Sequence, residues 1–358
     1  MAIELNTRLV PMPGLTQAAV AAPSPLGPLA SLVGTWKGHG LNTIFRPFHN
    51  AADPGDDNFL QLNKTTETLE FTEIPGEIPN RGLLQADIAL FGLTYLQQIA
   101  DANVKDEQGR PAGIHIEPGI WITVPKTTNP SEVASVARLA NIPHGTSLLA
   151  QGTPRTISGA PTFKKVDITP FFIGQPSSKV PFPNQTLSNP PKDQSGFRRS
   201  PTSATVGITQ AMVDDPSTVL RASLNGKTIQ SHTRLHVTTR MTSKTTPNTG
   251  SGIADIAFLD GLSAGPNARV TFMDSTFWIS PFTFAGGNAT LLQYLQIVHL
   301  DFGPLTWPHV SVAALIKQPP APAAGAASQA LAADGAGREP ADPGAAGPAE
   351  PAGDWNLP

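Results

Sequence analysis

The sequence predicts an all-β chain of about ten strands, in a sandwich or, as its long alternating strands favour, a closed antiparallel barrel, with long insertions and one or two short helices. Three observations predict it. Short runs rich in β-branched and aromatic residues recur between clusters of Gly, Pro, Asn and Asp, the way strands and turns punctuate a chain. Many of these runs alternate, which is the period-two signature of a strand with two unlike faces. Helical signals are few, and long alternating strands with one polar face suit a barrel that encloses a cavity.

The first candidate strand, 34–46, opens with GTWKGHG. Glycine weakens a strand interior and marks a bend or a close backbone approach, so Gly34, Gly38 and Gly40 predict a sharply coiled strand. Trp36 then either seals one end of the barrel or forms the wall of a binding site. His39 points opposite to Trp36 if pairing is regular, and a bulge would break that parity. Further strands are predicted over 59–73, 86–99, 114–124, 133–142, 146–152 and 163–172, then over 228–239, 253–259, 268–278, 291–302 and 308–317. In IHIEPGIWITV, Ile114, Ile116, Ile120, Ile122 and Val124 share one face, and His115, Glu117, Trp121 and Thr123 share the other. Alternation leaves open which of the two faces points inward. One helix is predicted in DDPSTVLRASLNG, with Asp215 as N-cap, Pro216 at the first helical position and Gly226 closing the end. Residues 174–204 read as a long loop, and no internal repeat is found.

Composition bounds the function. Of 358 residues 39% are apolar, so a large core is available, and the formal charge of −3 argues against a nucleic-acid surface. The absence of cysteine excludes disulfides, thiolate nucleophiles and Cys-ligated metals. No apolar run is long enough to span a membrane as a helix. The start, MAIELNTRLVPMPG, lacks the pattern of a secretory signal, which places the expected location in the cytoplasm. Residues 319–358 hold 28 Ala, Pro or Gly in 40 positions and predict a disordered tail. Residues 1–30 read as an extended arm, free to pack on a second copy of the chain, and 31–318 as the ligand-binding body.

GTWKGHG resembles the G-x-W-x-G-x-G signature on the first strand of the nitrobindin-like proteins, fatty-acid-binding-protein-like barrels within the lipocalin-like (calycin) group. HIEPGIW, His115–Trp121, looks like that family's H-x-E-x-G-aromatic strand, and HVSVAALIK, His309–Lys317, resembles its last strand. The resemblance implies a lipocalin-like barrel holding heme, with His309 as proximal iron ligand and His115 on the distal side. Trp36, His39 and Trp121 complete the cofactor-binding set so implied. Ser311, Ala313 and Leu315 share the face of His309, and small residues beside a histidine leave room for a macrocycle. Gas, nitrogen-oxide or peroxidase-type chemistry would follow. The chain is about twice the length usual for that family, so it needs a large insertion around 155–225.

Two other readings stand beside heme. One is a metal-free carrier of a small hydrophobic ligand. The other is a cofactor-independent isomerase, cyclase or hydratase in which His115 and Glu117 act as acid and base. Whether the chain is an enzyme is left open by its residues. His299 competes with His309 as a ligand. His144 reads as part of a surface turn. His232 and His236 face one side of a strand about 13 Å apart, too far for a helical zinc pair.

Overall fold

The structure, a computed structural model, describes residues 24–47, 58–83, 85–142, 145–188, 205–239, 251–255 and 269–320. Ten strands close a barrel: β1 (Gly34–Pro47), β2 (Asn58–Glu73), β4 (Ile88–Lys105), β5 (Pro111–Val124), β8 (Ser135–Ile142), β9 (Thr146–Gly152), β12 (Ser231–Thr238), β14 (Arg269–Phe284), β15 (Gly287–Phe302) and β16 (Leu305–Lys317). Each pairs antiparallel with the next barrel strand along the chain, and β16 returns to β1. This is the all-β architecture the alternation predicts, with the up-and-down order of a calycin-like barrel. Four strands are additions at edges: β3 (Ile78–Asn80) on β4, β10 (Pro154–Ser158) on β12, β11 (Phe171–Phe172) on β16 and β13 (Gly252–Asp255) on β9. A separate two-stranded ribbon joins β6 (Thr127–Thr128) to β7 (Ser131–Glu132).

Register fixes the faces. Trp36, Gly38, Gly40 and Asn42 of β1 point inward, opposite Leu69, Glu67, Thr65 and Asn63 of β2. His39, Leu41 and Phe45 point outward. One end of the barrel is sealed by a 3-10 helix, Gly27–Leu32. Leu26, Leu29 and Leu32 pack there with Trp36, Leu69, Phe71, Leu93 and Trp121. Trp36 is fully buried, and its indole N–H donates to the Leu32 carbonyl at 2.7 Å. The expected extended arm over 1–30 is therefore corrected for its described part: residues 24–30 join the plug, because Leu26 and Leu29, with Leu32 just beyond, find the open end of an apolar core. Residues 1–23 and the tail beyond 320 lie outside the described residues.

The insertion between β10 and β12 covers the outer wall of the barrel. Val166, Ile168, Ile208, Met212, Val213 and Leu220 pack on Leu41, Phe45, Leu62, Trp307 and Val312 in a second apolar core outside the barrel. Burying one such side chain stabilises by about 2 kcal/mol, so this outer layer is a substantial part of the fold. The predicted strand over 163–172 is not one, beyond the short β11. The Val166 N–H donates to the Asp215 carboxylate at 3.0 Å and so is not used in strand pairing. The predicted helix exists as α2 (Ser217–Ala222), preceded by α1 (Gln210–Asp214). The N-cap is Pro216 and not Asp215, because the helix begins at Ser217, one residue later than expected. Asp215, just before the cap, accepts from the Ser217 N–H at 3.1 Å and pairs with Arg221. Among the described residues no helix is long and apolar enough to cross a membrane.

Candidate functional site

Beyond the plugged end, the barrel interior turns polar. Glu67 of β2, Tyr95 and Gln97 of β4, Glu117 of β5, Arg138 of β8 and Tyr294 of β15 all sit on inward-facing positions and all are buried. A charge survives in such a place only if it is paired and hydrogen-bonded. Arg138 meets that demand in full. Its guanidinium donates to Glu117, to the Tyr95 hydroxyl at 2.9 Å, to Ser275 at 3.1 Å and to Gln296 at 2.7 Å. It also lies against the Phe277 ring, 5.4 Å from its centre. The Tyr95 hydroxyl donates to the same Glu117 oxygen that accepts from Arg138. Gly119 makes room for that tyrosine, since a Cβ there would lie 2.4 Å from the Tyr95 ring.

A second group adjoins the first. Glu67 accepts from Thr65 at 2.6 Å and from the Tyr294 hydroxyl at 2.7 Å, and Gln97 donates to that hydroxyl at 3.0 Å. Toward the far end, Asn63 donates to Asp101 at 2.6 Å, and Asn42 donates to Asn63 at 3.3 Å. Solvent reaches this end: the His115 side chain is 22% exposed, and Asn42, Gln296 and His309 are half-buried.

The two carboxylates are pushed in opposite directions. Burial opposes the charge on Glu117, but the Arg138 guanidinium beside it, with His115 and Tyr95, outweighs burial and holds its pKa down at about 2. Burial raises the pKa of Glu67, against the hydrogen bonds from Thr65, Tyr294 and Gln97. His115 contributes to the field at both carboxylates. Its Nε2 is 3.6 Å from Glu117 Oε2, and its charge acts on Glu67 as well.

A pH dependence follows from the signs. Glu117 ionises more readily folded than unfolded, so its contribution is complete above pH 4.5 and is lost as pH falls toward about 2. Glu67 holds its proton more tightly folded than unfolded, so its contribution grows as pH falls into the carboxylate range. Glu67→Gln removes that opposing slope and keeps groups able to hydrogen-bond. Urea midpoints measured from pH 7 to pH 3 are expected to fall more steeply in Glu67→Gln than in the parent chain. Parallel curves would contradict the opposed directions.

The structure brings some of the predicted residues together and separates others. His115, Glu117 and Trp121 share the inner face, and the isoleucines of that strand face out, with Ile116 45% exposed. Trp121 is buried against Phe277 at the plugged end, and Trp36 is part of the plug, so neither is open to a ligand from the solvent-reached end. His39 does not join the interior set. It points outward, its Nδ1 3.3 Å from the Thr65 carbonyl, because pairing along β1 is regular. His309 is on the inner face of β16 at the solvent-reached end, and His299 faces out between Phe171 and Phe272. His232 and His236 also face out, His236 paired with Asp274. His144 lies outside the described residues.

The residues as they stand do not fit heme. The imidazole nitrogen that iron would take, Nε2 of His309, is 2.7 Å from the Asn42 side-chain oxygen, which also accepts from Ser311 at 2.9 Å. The middle of the barrel is filled by the Arg138 and Glu67 networks. Among the described residues no group of three or more His, Asp or Glu side chains is placed to hold a metal ion. No family model, curated protein or solved structure matches the chain.

Sequence reasoning missed Glu67, Tyr95, Gln97, Arg138 and Tyr294. One signal was present. Arg138 is flanked on its own strand face by Val136 and Ala140, and a lone arginine on an apolar face signals a buried, paired charge.

Proposed function

We propose that the chain binds a small molecule at the polar, solvent-reached end of the barrel and that His115 moves a proton on it. One observation carries this reading. Two buried carboxylates have oppositely displaced pKa values, His115 contributes to the field at both, and it stands 3.6 Å from Glu117 with its side chain 22% exposed. Titratable groups pushed apart by their surroundings mark acid and base roles. Glu117 stays ionised, orients the imidazole and stabilises the imidazolium formed when His115 takes a proton. Glu67 holds its proton to higher pH and is the buried acid of the set. Val298 and Leu300 of β15 and Ile142 of β8 bring apolar side chains to the same end, which suits a partly apolar carbon skeleton carrying one polar group. The reaction class so favoured is removal and return of a proton beside a carbonyl, as in an isomerase or hydratase.

The test incubates the full chain in D2O with small cyclic ketones and enones and follows exchange beside the carbonyl by proton NMR. Exchange above buffer is expected for at least one compound, falling by about 100-fold or more in His115→Ala, the usual contribution of a general base. No exchange with any compound, or exchange untouched in His115→Ala, would falsify the reading. The same preparation titrated with heme tests the competing one: a Soret band that disappears in His309→Ala would move the assignment to a heme protein.

A further inference from the structure

We infer a second binding site, outside the barrel wall, for a short unbranched carboxylate. It is a cavity of about 40 Å³ between β1, β2 and β16 on one side and the two short helices of the insertion on the other. Gly40, Leu41 and Ala314 form its floor, and Ile208, Met212 and Val219 its apolar walls. At one side stand Lys64 and His39. By the measure in which one water needs roughly 10–15 Å³, the space takes a chain of a few atoms and no ring system.

Charge decides the class of ligand. Lys64 is half-buried, and the position a Cβ would take on Gly207 is 3.6 Å from its ammonium nitrogen, so the charge stands at the lip of the cavity. Among the described residues no carboxylate pairs with Lys64, and no acidic side chain lines the cavity. A half-buried ammonium over an apolar slot is complementary to an anion with an apolar tail. A short carboxylate answers both halves: its tail replaces water against Leu41, Ile208, Met212 and Val219, and its oxygens accept from Lys64. An amine of the same length meets a like charge, and an alcohol gains no ion pair.

This site is independent of the barrel interior, because His39 and Leu41 lie on the opposite face of β1 from Asn42 and Gly38. The experiment is calorimetric titration of the full chain with sodium pentanoate, 1-pentanol and pentylamine. Saturable binding of pentanoate is expected, at least tenfold weaker for the alcohol and undetectable for the amine. Lys64→Met is expected to weaken pentanoate at least tenfold, Met212→Trp to abolish it by filling the slot, and His115→Ala to leave it unchanged. Circular dichroism of each variant checks that the fold is retained. Absence of saturable binding overturns the inference. So does binding that survives both Lys64→Met and Met212→Trp, or binding lost in His115→Ala, which would place the carboxylate inside the barrel.

Discussion

Arg138→Met is expected to destabilise the chain by about 3–5 kcal/mol, the usual cost of leaving one partner of a buried ion pair behind. Methionine fills much of the same space, so the loss is electrostatic. Glu117 stays fully buried, keeps its hydrogen bond from Tyr95 and loses the cation that holds its proton affinity down. Ser275 and Gln296 lose a donor at the same time. With the guanidinium gone, burial acts on Glu117 unopposed by it and raises its pKa. The variant then binds a proton on folding, so its deficit relative to the parent grows as pH rises. Chemical denaturation at pH 5 and pH 8 measures this. The double variant Glu117→Leu, Arg138→Met removes both charges and is expected to recover part of the loss. A deficit independent of pH, or a double variant no better than the single one, would show that Arg138 matters for its packing against Tyr95, Trp121 and Phe277 and not for its charge.

Gly38→Ala is expected to cost about 3 kcal/mol or more, at the upper end of what overpacking does. A Cβ on Gly38 would stand 2.1 Å from the Ala314 carbonyl oxygen and 2.7 Å from the Leu315 Cα. Both are backbone atoms, so no rotamer change relieves the contact. They belong to β16, the strand that pairs with β1 to close the barrel, and a single methyl group must therefore pry the closing seam open. Gly113→Ala is the control, since a Cβ there meets nothing within 4 Å. It is expected to change stability by less than about 0.5 kcal/mol. Equal thermal midpoints for the two variants would refute the close approach at Gly38.

Much of the fold was legible in the residues. The strand runs, the glycine-rich first strand and the short helix near 216 all follow from local steric preference and period-two alternation. The candidate site was legible only in part. His115 and Glu117 could be placed on one face from spacing alone. Their partners could not, because Arg138, Tyr95, Gln97, Glu67 and Tyr294 come from four other strands spread from residue 67 to residue 294, and nothing local ties them.

By itself the sequence determined that each strand has two unlike faces and which residues share each. Only the tertiary structure decided which face is inner. Alternation settles that question when one face meets water and the other meets oil. Here the insertion carries Ile168, Met212 and Leu220 onto the outer wall, so Leu41 and Phe45 are buried although they face out. Inside, a closed set of hydrogen bonds lets Glu117 and Arg138 lie in the core although they are charged. Burial had ceased to follow hydropathy on both faces, and only the positions of the partners could tell them apart.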